Sequence, residues 1–128
     1  LINVGDSRAY YLSKDEIRQI SRDHSYVEEL VAMGAITKEE AAHHPKKNII
    51  TRALGVDASV EADYFECPLH RGDGILLCSD GLSNMVSDKE IHDHFKENAL
   101  PKDVCSKLMA LALARGARDN VSIVLIKT

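Results

Sequence analysis

The chain has 128 residues, of which 45% are hydrophobic and 28% charged, and its net charge is −4 at pH 7. That length and composition predict a single globular domain. Acidic and basic residues are mixed along the chain, which argues against the basic face that nucleic-acid binding needs. No apolar segment reaches the length of a membrane span, and no signal peptide is visible. Three cysteines without a framework spacing favour a reducing compartment, so we expect a cytoplasmic protein.

The first residues form a short apolar run that ends in an acidic break. Gly5 and Asp6 make this break, and residues 9–12 and 17–20 then have the pattern of two hairpin strands. Asp6 would therefore lie at a bend between buried strands. Two purely structural roles remain open for Asp6: its side chain could stabilise the turn, or it could form a salt bridge with Arg8.

Residues 21–52 have the sequence of two short helices inserted between strands. Ser25 and Thr37 each stand three residues before a glutamate, which is the spacing of a capping box at a helix N-terminus. Gly34 suits the end of the first helix, and Pro45 cannot continue the second. We predict that this segment forms a flap subdomain on the surface, either as an element that contacts substrate or as a plain connector.

The central apolar run, Ile75–Cys78, is followed directly by an acidic residue. Turn residues on both sides favour a buried strand over a helix for this run. An unpaired charge at the end of a buried strand is costly, so Asp80 needs a partner. Asp80 is therefore either the ligand of a cation or a simple turn residue in front of Gly81.

The second half adds two strands and two longer helices. Alternation over residues 60–64 predicts a strand with one exposed face. Ser87 has capping-box spacing for one helix, and Pro101 suits the first turn of the next. Residues 121–126 are nearly all apolar and β-branched, which predicts a central strand buried on both faces. Strands and helices are segregated rather than alternating, so the predicted fold class is α+β.

Three acidic residues stand at the ends of predicted strands: Asp6, Asp80 and Asp119. If these strands are neighbours in a sheet, the three carboxylates converge at one end of it. Hard oxygen ligands without His or Cys beside them select Mg²⁺ or Mn²⁺ over zinc. Spacing alone is a weak signal for such a site, because the sequence does not give the strand order.

Several motifs occur in the order and spacing of a known family. They are Val4-Gly5-Asp6-Ser7-Arg8-Ala9-Tyr10, Asp23-His24-Ser25, Ile50-Thr51-Arg52-Ala53-Leu54-Gly55, Ser79-Asp80-Gly81-Leu82 and Asp119-Asn120-Val121-Ser122. On these motifs the whole chain resembles the C-terminal half of the catalytic domain of metal-dependent (PPM or PP2C-type) protein phosphatases, in particular bacterial Ser/Thr members. The resemblance implies half of an α-β-β-α sandwich, in which antiparallel sheets are flanked by helices.

The resemblance also implies a centre of two, and in bacterial members three, Mn²⁺ or Mg²⁺ ions. Asp80 and Asp119 would be ligands of the two-metal centre, and Asp6 would share a third, weaker cation with Asp80. The neighbours of this site would be Ser79, Gly81 and Asn120. Support for the third site is expected from Arg8 and from Asn48, which stands where some members have a serine of the flap.

The implied reaction is the hydrolysis of phosphoserine or phosphothreonine in proteins by water that two cations activate. Phosphoproteins made by a Ser/Thr kinase would be the partners. The family's phosphate-binding Arg and its His general acid are not found here, so no catalytic residue is assigned. We expect surface or capping roles for all six histidines.

The chain opens at Leu1, inside an apolar run, so we expect it to be a piece of a longer protein whose N-terminal part supplies these two residues. We expect the fragment to be inactive alone. Exposed apolar sheet surface and open strand edges would favour pairing with the missing half or self-association.

Two other interpretations remain open. One is a non-catalytic PP2C-like binding or regulatory module, against which the retention of Asp6, Asp80 and Asp119 argues. The other is a phosphatase of the haloacid-dehalogenase type with an aspartyl nucleophile. That class needs a second acid two residues after the nucleophile, and the chain has Leu82 there.

Overall fold

A computed structural model describes all 128 residues, Leu1–Thr128. The chain divides into two units. The first unit contains Leu1–Asp6 and Arg22–Phe65, and the second contains Ser7–Ser21 and Glu66–Thr128. Helices and antiparallel strands are both present, as the predicted α+β class requires.

The chain has six strands and five helices. The strands are β1 (Ile2–Asn3), β2 (Arg8–Leu12), β3 (Ile17–Gln19), β4 (Asp63–Tyr64), β5 (Gly74–Cys78) and β6 (Ile123–Lys127). The helices are α1 (Tyr26–Ala32), α2 (Lys38–Ala42), α3 (Asp80–Ser83), α4 (Asp88–Glu97) and α5 (Pro101–Ala114).

The second unit is built on an antiparallel sheet with the strand order β3-β2-β5-β6. Tyr10 of β2 pairs with Leu76 of β5, and Leu76 pairs in turn with Leu125 of β6. Side chains alternate between the two faces of a strand, so these three residues point to the same side. Tyr10 and Leu76 are completely buried, which identifies this side of the sheet as the core face.

Helices α4 and α5 cover the core face. The predicted capping box at Ser87 is present and starts α4, and Pro101 occupies the first turn of α5 as predicted. Val104 and Leu108 of α5 are completely buried in the same cluster as Tyr10. Burial of one such aliphatic side chain contributes roughly 1.5–3 kcal/mol. The cluster therefore gives β5 a rigid base, and β5 leads directly into Asp80.

The prediction that the last strand is central and buried on both faces is wrong. Strand β6 lies at the edge of the sheet, and Val124 and Ile126 on its outer face are 54% and 56% exposed. A β-branched apolar sequence reports the tendency to form a strand, because such side chains fit a pleated surface. It does not report which of the two faces another layer covers.

The first unit has a two-stranded sheet, β1 with β4, and the helices α1 and α2. The predicted capping box at Thr37 is present at the start of α2. Gly34 follows α1 with a φ of 74°, as the glycine position after a helix requires. The strand predicted over residues 60–64 is shorter than expected, since only Asp63 and Tyr64 pair with β1.

None of the five helices combines the length and the apolar character that crossing a membrane would need.

Candidate metal centre

The end of β5 is joined to the segment that leads into β6. The Ser79 amide donates to the Ser122 carbonyl at 3.1 Å, and the Ser122 amide donates to the Ser79 hydroxyl at 3.0 Å. The same hydroxyl donates to the Asn120 carbonyl at 3.1 Å. These three bonds bring the Ser79-Asp80-Gly81 and Asp119-Asn120 motifs together, although Ser79 and Asn120 are 41 residues apart in the sequence.

Gly81 packs directly on the backbone of the second motif. A Cβ atom at this position would lie 2.3 Å from the Asn120 carbonyl oxygen and 3.0 Å from its carbonyl carbon. The φ angle of Gly81 is not among the positive ones in the chain. Glycine is therefore required here by a close approach of two backbones rather than by the conformation of a tight turn. This finding removes the main reason for interpreting Asp80-Gly81 as a turn only.

The two motifs present hard oxygen donors. Asp80 is the first residue of α3 and is partly buried, and its carboxylate takes part in no side-chain hydrogen bond or ion pair. Asp119 is exposed, and its Oδ1 atom accepts a hydrogen bond from the Asn120 amide at 2.7 Å. That bond fixes the Asp119 carboxylate and leaves its second oxygen for another partner.

This donor set fits a part of a divalent-cation site. Carboxylate oxygens are the ligands of Mg²⁺ and Mn²⁺, and each ion takes about six oxygens, several of which are usually water or substrate. The chain has no group of three or more His, Cys, Asp or Glu side chains that could hold a metal ion by itself. Metal binding by Asp80 and Asp119 therefore stays a prediction.

Arg8 lies beside the C-terminal end of β5, since it pairs with Cys78, the last residue of that strand. Its Nη1 atom donates to the Tyr10 hydroxyl oxygen at 3.1 Å. Burial raises the pKa of Tyr10 far above its ordinary value, so this phenol remains protonated. Arg8 is thus fixed at the core face of the sheet. Cys78 is buried there as predicted.

Asp6 and Asn48, two other predicted site residues, belong to the first unit, where Asp6 is partly buried and Asn48 is exposed. Gly5, just before Asp6, has a φ of 113°, and this left-handed conformation favours glycine. The assignment of both residues to a third cation site stays a prediction.

A residue to which the sequence analysis gave no role in the site contacts Gly5. His24 is only 4% exposed, and its Nδ1 atom accepts a hydrogen bond from the Gly5 amide at 3.0 Å. The expectation of a surface or capping role for His24 is therefore wrong. The physical reason is that both ring nitrogens have hydrogen-bond partners inside the unit. These bonds offset the cost of removing the polar ring from water.

The second partner of His24 is Asp63 of β4. The His24 Nε2 atom lies 2.8 Å from Asp63 Oδ2, and Arg52 Nη1 donates to Asp63 Oδ1 at 3.3 Å. The hydrogen bond with His24 is the main reason why the pKa of Asp63 is lowered, with a smaller contribution from Arg52. No sequence signal pointed to Asp63, because its partner lies 39 residues away.

Comparison with known proteins places these features in a family. The model of the protein phosphatase 2C family matches residues 1–113. The chain is 43% identical over 127 residues to the serine/threonine phosphatase stp of Listeria innocua, an alignment that covers 99% of this chain and 50% of that protein. The chain thus spans about half the length of the curated relatives it matches.

Solved structures give the same result. A serine/threonine phosphatase of S. agalactiae superposes with a TM-score of 0.91 and 39% identity, covering 99% of this chain and 52% of that one. The catalytic domain of the serine/threonine phosphatase PstP, solved with two manganese ions, superposes with a TM-score of 0.79 and 37% identity. That alignment covers 97% of this chain and 50% of PstP.

Proposed function

Because this chain belongs to the protein phosphatase 2C family, we propose that it serves metal-dependent hydrolysis of phosphoserine and phosphothreonine in proteins, as the C-terminal half of a catalytic domain. One observation carries the proposal. The Ser79 hydrogen bonds and the close approach of Gly81 to Asn120 bring two aspartate motifs together at the end of a buried strand.

The proposed roles follow from position and chemistry. Asp80 and Asp119 would hold a pair of divalent cations, which when bound acidify a water molecule and neutralise phosphate charge. Ser79 and Gly81 would keep the two carboxylate-bearing segments in register. Asp6 would contribute to a third cation. We propose Mn²⁺ or Mg²⁺ because the ligands are carboxylates.

Partners and location are also part of the proposal. The substrates would be phosphoproteins of a Ser/Thr kinase, and the general acid and the phosphate-binding Arg would come from the rest of the catalytic domain. The exposed outer face of β6, with Val124 and Ile126, supports pairing with that remainder or self-association when it is absent. Three free thiols fit a cytoplasmic location.

The proposal predicts that activity needs a divalent cation and more than these 128 residues. We expect the full-length natural protein that contains this chain to dephosphorylate a phosphothreonine peptide with Mn²⁺ and to stop when a chelator removes the metal. The isolated chain should have little or no turnover. The measurement is phosphate release from the same peptide by both proteins at equal concentration.

Two results would contradict parts of this proposal. A full-length protein that releases no phosphate but still binds phosphopeptide would favour a non-catalytic binding module. Turnover by the isolated chain equal to that of the full-length protein would show that the site is complete within residues 1–128.

A further inference from the structure

His24 has partners at both ring nitrogens and is buried, yet it has no part in the function proposed above. Its Nδ1 atom lies 3.0 Å from the Gly5 amide nitrogen, and its Nε2 atom lies 2.8 Å from Asp63 Oδ2. An amide nitrogen can only donate, so Nδ1 is the acceptor. In a neutral ring the proton then resides on Nε2, from which it is donated to the Asp63 carboxylate.

Arg52 lies against both members of this pair. Its Nη1 atom donates to Asp63 Oδ1 at 3.3 Å and to the Glu61 carbonyl at 3.2 Å, and it lies 3.4 Å from His24 Nε2. The Asp63 carboxylate is thus held by two donors and in turn holds the imidazole of His24. A carboxylate in this position fixes both the tautomer and the orientation of a histidine ring.

His24 forms hydrogen bonds with both peptide groups that flank Gly5. The imidazole binds the amide of the Val4–Gly5 peptide, and the backbone amide of His24 donates to the Gly5 carbonyl at 2.9 Å. That carbonyl belongs to the peptide that leads into Asp6. Because φ and ψ of Gly5 are the soft dihedrals between these two groups, fixing both groups fixes the direction in which the Asp6 backbone leaves the turn.

The same residue is attached to the segment that follows α2. The His24 carbonyl accepts a hydrogen bond from the Thr51 amide at 2.8 Å, and Ser25 forms a β-bridge with Ile50. A continuous set of hydrogen bonds thus runs from this segment through His24 to the turn before Asp6. All of these residues belong to the first unit.

We propose that His24 is a positioning residue that, held by Asp63 and Arg52, orients the Gly5–Asp6 turn and thereby the Asp6 carboxylate toward a bound cation. This inference rests on the proposed function, because it takes Asp6 as a cation ligand. His24 touches neither substrate nor cation in this role. Its effect passes through the backbone of Gly5.

Two substitutions separate this role from general stabilisation. In His24→Asn, the amide oxygen can take the place of Nδ1 and still accept from Gly5. In His24→Gln, the longer side chain can take the place of Nε2 and reach Asp63, but the Gly5 amide loses its acceptor. We expect His24→Gln to weaken Mn²⁺ binding at the weakest site of the full-length protein by about 10–100-fold, the usual effect of removing a residue that orients a metal ligand. His24→Asn should stay close to wild type.

The experiment is a calorimetric Mn²⁺ titration of both variants, each made also in an Asp6→Asn background. If His24 acts through Asp6, His24→Gln should cause no further loss in that background. Amide exchange at Gly5 in the metal-free protein gives an independent readout, and it should be faster in His24→Gln than in His24→Asn. Melting temperatures verify that all variants are folded.

Equal Mn²⁺ affinity and equal Gly5 exchange in His24→Gln and His24→Asn would overturn the inference, and so would an additional loss in the Asp6→Asn background. Such a result leaves the proposed function standing, since the wild type would still hydrolyse the phosphothreonine peptide. Failure of the proposed function would instead show as a wild-type protein without Mn²⁺-dependent turnover.

Discussion

Substitution of Gly81 by alanine is expected to disrupt the candidate metal centre. The new Cβ atom would lie 2.3 Å from the Asn120 carbonyl oxygen, so the α3 segment and the Asp119–Ser122 segment must move apart. Both sides of this contact are backbone, and neither can rotate away as a side chain could. We expect the free energy of unfolding to fall by about 1–3 kcal/mol, as for other overpacked sites.

The same displacement should reduce activity more than stability. A shift on the order of 1 Å at a reacting centre can cost roughly a hundredfold in rate. We therefore expect Gly81→Ala to lose about two orders of magnitude in turnover in the full-length protein while it is still folded. Denaturant unfolding and phosphate release on the same preparation measure the two effects.

Ser83→Ala is the matched control, because Ser83 lies in the same short helix. We expect it to change the free energy of unfolding by no more than about 0.5 kcal/mol, the usual range for substitutions away from special contacts. If Gly81→Ala had the same free energy of unfolding and the same turnover as Ser83→Ala, the close approach of the two backbones at Gly81 would be contradicted.

Replacement of Asp80 by asparagine is expected to reduce turnover by orders of magnitude without unfolding the protein. Asparagine has nearly the same shape as aspartate, but it lacks the negative charge that makes a carboxylate a strong ligand of a divalent cation. Bound cations stabilise the transition state of phosphoryl transfer by several kcal/mol, and each loss of about 1.4 kcal/mol slows the reaction tenfold. We expect the rate to fall by about a thousandfold or more for Asp80→Asn and also for Asp119→Asn.

Asp15→Asn is the control for this pair of variants. Asp15 is exposed in the turn between β2 and β3, so its substitution removes one negative charge far from both motifs in the sequence. It should keep wild-type turnover. If Asp80→Asn kept wild-type turnover as well, Asp80 would have only a structural role at the start of α3.

Local features of the fold were predictable from the sequence because their causes are local. The helices after Thr37 and Ser87 start at capping boxes, in which a side chain and a backbone amide three residues apart satisfy each other. Pro101 starts α5 for an equally local reason, since the first turn of a helix needs no amide donor there. The strand over Ile75–Cys78 was visible as a short apolar run between turn residues.

Features that depend on distant partners were not predictable in this way. The contact between Ser79 and Asn120 requires β5 and β6 to be neighbours, and spacing alone does not give strand order; only the family resemblance pointed to it. The burial of His24 depends on Gly5 and on Asp63, which are 19 and 39 residues away. The exposed face of β6 depends on which layers surround the sheet, a property that strand composition does not encode.

The most direct test of the metal centre is a crystal structure of the full-length protein grown with Mn²⁺, in which anomalous scattering locates the ions. We predict Mn²⁺ peaks at direct coordination distance from carboxylate oxygens of both Asp80 and Asp119, with the Ser79 hydroxyl still bonded to Asn120. An active enzyme whose Mn²⁺ peaks all lie away from these two carboxylates would contradict the assignment.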